Sequence, residues 1–185
     1  MAITSQQAPE ISVSLPAEPP LLDFSRAEVV GAFWVVNDGV MGGVSSSRLC
    51  PAPGAMLFEG EVSLASNGGF ASFRGPVRFP AQSAVLMLTV RGDGRRYQLT
   101  LKPVDDAGTA QYQAGFVAPL EWATLSFQPT DFAASFRGRA VAAPVLSFAD
   151  MRYVGLLIAE RQAGKFRIEL KSMDTAAGVQ PGPGG

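Results

Sequence analysis

Apolar and polar side chains alternate with a period of two along several stretches of the chain. The alternation is clearest in residues 96–102 and 165–171, and it is also present in residues 56–64 and 112–116. Successive side chains of a β-strand point to opposite faces of the sheet, so this period indicates antiparallel strands with one buried face. We therefore expect most of the chain to be β-sheet.

Two further segments, residues 84–90 and 153–159, are apolar at nearly every position. We expect them to be central strands that are covered on both faces. Residues that favour tight turns separate the strands, as at 38–39, 67–69 and 92–94, because Gly, Asn and Asp tolerate positive φ angles. No stretch has the pattern of a long amphipathic helix. The patterns predict an all-β fold, a jelly-roll β-sandwich.

The composition changes at both ends of the chain. Residues 1–20 are rich in Ser, Gln, Ala and Pro, and residues 175–185 are rich in Gly and Pro. Such compositions are typical of disordered arms. We therefore predict one β-sandwich domain over residues 21–174, between a disordered N-terminal arm and a disordered C-terminal tail.

The overall charge argues against a nucleic-acid partner. The formal net charge is −1, charged residues make up 17% of the chain, and Lys and Arg are scattered. Binding to the phosphates of nucleic acid or to an acidic lipid surface usually requires a basic patch. We expect neither kind of binding.

Two residue types that carry much of enzyme and metal chemistry are scarce. The chain has no histidine, which excludes His-based triads and imidazole proton transfer. Its only cysteine, Cys50, cannot form an internal disulfide or a multi-cysteine metal site, and we expect it to be buried. The sequence therefore predicts no catalytic residues, no metal and no cofactor, and a protein that is not an enzyme.

The location of the protein is predicted from similar absences. Residues 1–20 lack the basic and apolar regions of a signal peptide, and no apolar stretch is long enough to span a membrane. A chain without disulfides fits a reducing compartment. We expect a cytoplasmic protein, which could associate peripherally with a larger membrane-bound assembly.

The first candidate binding segment is the glycine-rich stretch at residues 34–45. Glycines at 39, 42 and 43 allow the backbone to turn sharply and to approach another group closely. Such a loop could present polar side chains to a ligand, or its Asn and Asp could bind their own backbone. The candidate partner- or ligand-binding residues here are Trp34, Asn37, Asp38, Met41 and Ser45.

The second candidate segment is residues 67–74, with Asn67, Phe70 and Arg74 as candidate binding residues. If the alternation starts at Phe70, then Phe70 and Arg74 share one face and Phe73 lies on the other. One phenylalanine would then be in the core, and the other would lie beside an arginine on the outer face as a stacking platform. The alternative is that both phenylalanines face the core in a twisted or bulged strand.

Two smaller features complete the set of candidates. Residues 91–97 form a glycine-rich hairpin turn in which Asp93 and Arg95 could recognise a polar ligand, or could simply be solvated. Trp122 lies on the opposite face from the apolar residues that follow it. An exposed Trp122 would suggest a platform for a sugar or a protein, and burial under a flanking segment is the alternative.

Taken together, these segments resemble the complex I intermediate-associated protein 30 family. The matching stretches are residues 34–45 (WVVNDGVMGGVS), 58–75, 90–99 and 154–170, and the region around Trp122 with residues 136–138. The resemblance spans residues 21–173, and Ser66 stands where the family pattern leads us to expect an asparagine. It implies a galactose-binding-domain-like jelly roll, which agrees with the period of two.

The resemblance also implies a function, which we state as an expectation. It suggests a non-enzymatic, chaperone-like binding module that holds a protein assembly intermediate, with subunits of respiratory or other membrane complexes as partners. The fold alone suggests a module that binds a carbohydrate or another small polar ligand. The first hypothesis predicts an exposed apolar surface, and the second predicts a pocket with an aromatic and convergent polar groups.

Overall fold

The computed structural model describes residues 19–178, except for the side chains of Val40 and Met41. Within this range the chain forms one helix of four residues, α1 (Ala27–Val30), four single-turn 3₁₀ helices and thirteen strands. The strands are β1 (Leu22–Asp23), β2 (Trp34–Asn37), β3 (Ser46–Ala52), β4 (Ala55–Val62), β5 (Ala71–Pro76), β6 (Ser83–Arg91), β7 (Arg96–Lys102), β8 (Gln111–Val117), β9 (Ala123–Phe127), β10 (Ala133–Phe136), β11 (Arg139–Ala140), β12 (Tyr153–Ile158) and β13 (Gly164–Ala177).

The strands form two antiparallel sheets. The six-stranded sheet has the order β3-β4-β13-β6-β9, and β1 pairs with β13 at its side. The seven-stranded sheet has the order β11-β10-β8-β7-β12-β5-β2. The two sheets pack face to face, so the predicted all-β jelly-roll sandwich is confirmed.

The core lies between the two sheets and is built from the apolar positions of the alternating strands. Tyr97, Leu99 and Leu101 are each at most 1% exposed, as the period of two predicts. The rings of Phe58 on β4 and Phe73 on β5 meet at 4.9 Å, which connects the six-stranded sheet to the seven-stranded sheet. Burial of this apolar surface is the main term that stabilises the sandwich.

The two segments predicted as central strands are central, but their outer faces are not fully covered. The first forms most of β6, which pairs with β13 and β9, and the second begins with β12, which pairs with β7 and β5. Their outward residues, such as Met87 and Leu157, are half-buried. The sandwich has two layers, so neighbouring side chains on the same face provide the only cover there.

The ends of the domain differ in part from the prediction. Residues 1–18 and 179–185, which include most of both predicted arms, lie outside the described residues. The strand β13 continues to Ala177, three residues into the predicted tail, because Thr175 and Ala176 pair with Leu86 and Val85 of β6. Pairing through the backbone does not require apolar side chains, so the composition did not indicate it. Among the described residues, no helix is long and apolar enough to cross a membrane.

Candidate functional site

Asp38 joins two distant loops at one end of the sandwich. It is 1% exposed, and its carboxylate accepts hydrogen bonds from the backbone N–H of Ser45 (2.9 Å), Gly69 (2.7 Å) and Phe70 (3.3 Å), and from the hydroxyl of Ser45. Burial by itself raises the pKa of this carboxyl, but the hydrogen bonds from Ser45, Gly69 and Phe70 outweigh it and hold the pKa below its usual value. The structure places Asp38 inside the fold, where it binds backbone.

The glycines around Asp38 make room for its side chain. A Cβ atom at Gly43 would lie 2.3 Å from the Asp38 carboxyl carbon, and one at Gly68 would lie 2.6 Å from a carboxylate oxygen. Both distances are far below van der Waals contact. The glycine-rich stretches at 39–43 and 68–69 are therefore explained, at these two positions, by the close approach of backbone to a buried carboxylate. We call Asp38, Gly43, Ser45, Gly68 and Gly69 the Asp38 cluster.

The neighbouring candidates have similar internal roles or lie at the surface. Asn37 is half-buried and accepts a hydrogen bond from the hydroxyl of Ser47 at 2.6 Å. Asn67 is exposed, with φ of 59°, and Ser66 before it has φ of 55°. Asparagine tolerates this left-handed region better than serine does, which accounts for the expectation of an asparagine at 66. The side chain of Met41 lies outside the described residues.

A second hydrogen-bond network involves the half-buried Asp93. Its carboxylate accepts hydrogen bonds from the backbone N–H of Arg95 (3.0 Å) and Arg167 (2.8 Å) and from the hydroxyl of Tyr97 (3.1 Å). Burial and the nearby Asp93 raise the pKa of Tyr97, so its hydroxyl remains a donor. Arg95 donates to the backbone carbonyls at 162 and 163, both at 3.2 Å. These two candidates therefore connect the β6–β7 turn to the β12–β13 turn.

The outer face of the six-stranded sheet carries a continuous row of paired charges, which we call the charge ladder. Glu59 accepts from Arg48 at 2.9 Å and from Arg167 at 3.3 Å, and Glu169 accepts from Arg167 at 3.0 Å and from Arg91 at 2.9 Å. The hydrogen bond from Arg48 lowers the pKa of Glu59. A groove of about 620 Å³ runs along part of this ladder. Each of these five charged groups therefore has a partner of opposite charge on the same face.

Trp122 lies at the end of the charge ladder. Its side chain is half-buried. The guanidinium of Arg91 lies 4.9 Å from the centre of the indole ring, and the ammonium of Lys171 lies 5.7 Å from it. Two cations over one ring are favourable cation–π contacts. The indole is therefore partly covered by the side chains of its own sheet.

The outer face of the seven-stranded sheet contains a cleft of about 340 Å³, which we call the sheet cleft. Phe70, Ser72 and Arg74 line it while Phe73 is 2% exposed in the core, so the alternation from Phe70 is confirmed. The other polar lining residues are Thr100, Lys102, Thr109, Gln111, Gln113, Ser135 and Arg137, and the other large apolar ones are Val36, Phe136 and Leu157. Polar groups on an apolar floor are typical of ligand sites.

Two cations face the sheet cleft from β5 and β7, the two strands that flank β12. Arg74 forms an ion pair with Asp105, which lies outside the cleft lining. Lys102 is 6% exposed and donates to the backbone carbonyl of Asp106 at 2.6 Å. Burial and the positive charge of Arg74 lower the pKa of Lys102, and the carboxylates of Asp105 and Asp106 act in the opposite direction. The ammonium is therefore destabilised where it lies.

An aromatic pair borders the sheet cleft at Arg74. Trp34, which is 38% exposed, lies opposite Arg74 in the β2–β5 pair and contacts Tyr153 edge to face, with ring centres 6.2 Å apart. Beyond it a shallow groove of about 660 Å³ is lined by Tyr153, Asp105 and the 44% exposed Val104, with other residues. We call the two aromatic residues Trp34 and Tyr153, together with the apolar Val104 from the same groove as Tyr153, the aromatic rim.

Of the sequence candidates, the structure brings Trp34, Phe70 and Arg74 to one face. Asp38, Ser45, Asp93 and Arg95 are engaged inside turns, and Trp122 is on the opposite outer face. The sequence patterns did not indicate four residues of this surface, namely Lys102, Gln111, Gln113 and Tyr153. For Lys102, Gln111 and Gln113 a signal was present, because the outward positions of β7 and β8 between 98 and 113 are mostly uncharged and polar, whereas the ladder strands carry charges there. Tyr153 lies on the apolar strand β12, which carries no such signal.

The described residues offer little for a metal ion or a nucleophile. No group of three or more metal-ligating side chains is present among them. Cys50, which we expected to be buried, is half-buried on β3.

Comparisons with known proteins agree with this architecture. The sequence matches the family model of complex I intermediate-associated protein 30 over residues 22–170. No curated protein matches the chain. Among solved structures, a family 11 carbohydrate-binding module of the cellulosomal cellulase Lic26A-Cel5E of Clostridium thermocellum is 11% identical, with a TM-score of 0.62, and the match covers 88% of this chain and 96% of that one.

A second solved structure has the same kind of fold. A family 11 module from the same organism, in complex with a β-1,3-1,4-mixed-linked tetrasaccharide, is 10% identical, with a TM-score of 0.53 over 80% of this chain and 89% of that one. At such low identity the likeness establishes a shared sandwich fold.

Proposed function

Because the chain belongs to the complex I intermediate-associated protein 30 family, we propose that it is a non-enzymatic binding protein that holds a partner protein during the assembly of a larger complex. The observation that carries this proposal is the composite surface on the seven-stranded sheet. There the aromatic rim and the sheet cleft lie side by side and meet at Arg74.

The residue types on this surface support a protein partner. Trp, Tyr and Arg are the side chains that most often dominate the energy of protein–protein interfaces, and Trp34, Tyr153 and Arg74 lie together here. Beside the cleft of about 340 Å³, the groove of about 660 Å³ is lined in part by Tyr153 and Val104, so aromatic and apolar surface is present outside the cleft as well. The charge ladder on the opposite face already satisfies its own charges, so we expect little contribution from it.

The lining of the sheet cleft supports binding without catalysis. It contains no Asp or Glu, and the chain contains no His. General acid–base chemistry usually depends on such groups within reach of the reacting atoms. We therefore propose that the cleft recognises its partner and leaves it chemically unchanged.

The test is affinity purification from membranes of the native host, solubilised in mild detergent, with the tagged full-length protein. We expect subunits of a respiratory or other membrane complex to be recovered with the native protein and lost with Trp34→Ala. Trp122→Ala is the matched control, because it removes the other tryptophan from the opposite outer face and should leave recovery unchanged. Equal recovery with Trp34→Ala would contradict the assignment of this surface.

A second candidate function is binding of a carbohydrate in the sheet cleft. The observation that favours it is the density of amide and hydroxyl groups, from Gln111, Gln113, Thr100 and Ser135, between the aromatic side chains Phe70 and Phe136. Sugars are commonly held by such hydrogen bonds together with contact to an aromatic ring. This candidate predicts that a saccharide binds in the cleft without a requirement for the aromatic rim.

A further inference from the structure

The charges of the sheet cleft are all of one sign. Its lining includes Arg74, Lys102 and Arg137 but no Asp or Glu, although the whole chain has 16 acidic and 15 basic residues. On the opposite face, by contrast, arginines and glutamates alternate along the charge ladder. The positive charge is therefore concentrated in the cleft.

Lys102 is the most informative of these cations. A buried ammonium is costly unless a counter-charge and hydrogen bonds compensate for the loss of water. Lys102 is 6% exposed, and its ammonium donates to a neutral carbonyl, that of Asp106. Among residues 19–178 its ammonium is in no ion pair, and the nearby Arg74 has the same charge. The carboxylates of Asp105 and Asp106 favour the ammonium from a distance, and an anion in the cleft would supply a counter-charge in direct contact.

The strand order places the two cations on either side of β12. Arg74 is on β5 and Lys102 is on β7, and β12 lies between these two strands. On β12, Gly155 lies in register with Arg74 on one side and with Thr100 on the other. Because Gly155 has no side chain, no side chain of β12 lies between Arg74 and Thr100 at this register, and the backbones of β12 and β5 approach closely.

From these observations we propose that the sheet cleft contains a carboxylate-binding subsite, formed by Arg74 and Lys102 on either side of β12, that receives an Asp or Glu side chain of the partner protein. The proposal rests on the proposed function and specifies which chemical group of the partner the cleft recognises. The pair with Asp105 uses one terminal nitrogen of Arg74, and a guanidinium has five N–H donors, so Arg74 keeps donors for a second carboxylate. The adjacent aromatic rim favours a protein side chain over a free sugar acid, because it offers apolar contact for the residues around the acidic one.

The experiment is a titration of the ¹⁵N-labelled full-length protein, followed by amide chemical shifts. The probe is N-acetyl-glutamate amide, and its matched control is N-acetyl-glutamine amide, which has nearly the same shape without the charge. We expect shift changes centred on Gly155, Thr100 and Arg74 with the glutamate probe, and at least about tenfold weaker binding of the glutamine probe.

Two variants test whether Lys102 and Arg74 form the subsite. Lys102→Met keeps the length of the buried side chain and removes its charge, and Arg74→Gln is a second, independent change in case the first disturbs folding. Each should weaken binding of the glutamate probe by at least about tenfold. Lys171→Met, on the opposite outer face, is the matched control and should leave binding unchanged.

Two outcomes would overturn the inference while leaving the proposed function intact. Equal binding of the glutamate and glutamine probes, or chemical-shift changes outside the cleft, would show that Arg74 and Lys102 do not bind a carboxylate. Preferential binding of D-galacturonate over both amino-acid probes would replace the protein side chain by an acidic sugar. Failure of the proposed function has a separate sign, which is recovery of no specific partner with the native protein.

Discussion

At the scale of single residues, Asp38 shows how a charged side chain can be entirely committed to the fold. Its donors at Gly69 and Phe70 are 31 and 32 residues away along the chain. A glycine-rich stretch with an Asp fits both a ligand-presenting loop and an internally bonded one. The pattern alone could not separate them, because the second loop that supplies the donors becomes a neighbour only after folding.

We predict that Asp38→Asn lowers the free energy of unfolding by about 2–4 kcal/mol, because an amide group cannot accept all four hydrogen bonds and three backbone N–H groups lose a charged acceptor. Urea denaturation followed by circular dichroism measures the change. Asp150→Asn, at an exposed carboxylate, is the matched control and should change stability by less than about 0.5 kcal/mol. A loss of similar size in both variants would contradict the role assigned to Asp38.

The same substitution should alter the dependence of stability on pH. The pKa of Asp38 is lowered in the folded state, so its contribution is fully present above the unfolded-state pKa of about 3.9 and is lost as the pH falls through the lower folded-state pKa. The difference in stability between the native protein and Asp38→Asn should therefore narrow as the pH is reduced below about 4. A difference that stays constant down to low pH would argue against the lowered pKa.

At the scale of elements, the period of two assigned side chains to faces but could not identify the cleft. The alternation correctly placed Phe70 and Arg74 on one side of β5 and Phe73 on the other. The order of the strands is not contained in that pattern. Lys102 and Arg74 are brought together only because β12, from a segment about fifty residues further along the chain, inserts between β7 and β5.

Gly155 provides a test of this arrangement. A Cβ atom there would lie 1.9 Å from the backbone oxygen of Phe73, so Gly155→Ala should force β12 and β5 apart and cost about 1–3 kcal/mol of unfolding free energy. Gly115→Ala is the matched control, since Gly115 is in β8 of the same sheet and the nearest atom to its Cβ would be the tip of Arg96 at 3.9 Å. We expect that control to change stability by less than about 1 kcal/mol, measured by urea denaturation. Equal effects would show that β5 and β12 tolerate a side chain between them.

At the scale of the whole molecule, the two outer faces have different chemistry over one shared core. The face with the charge ladder is internally paired, and the face with the sheet cleft has cations without carboxylates in its lining. The charged residues and the turns could be identified from the sequence, but which charged residues form pairs depends on which strands become neighbours. For this reason the sequence predicted the sandwich and several of its surface candidates, and it could not distinguish the two faces.

The shared core predicts that both sheets unfold together. Trp34 is on the seven-stranded sheet and Trp122 adjoins the six-stranded sheet, and these are the two tryptophans of the chain. Their fluorescence in Trp122→Phe and in Trp34→Phe therefore reports each sheet separately. We expect each transition in urea to coincide with the loss of circular dichroism in the same variant, because buried residues of both sheets form one cluster. A transition at one sheet that precedes the other would contradict a single cooperative unit.

The Asp38 cluster also makes this sandwich a suitable scaffold for protein engineering. Gln111, Gln113 and Ser135 line the sheet cleft from β8 and β10, and none of them contributes to the four hydrogen bonds of Asp38. Those three positions can therefore be randomised in a library while the contacts that hold the loops are left unchanged. New binding specificities could then be selected on this face without redesigning the fold.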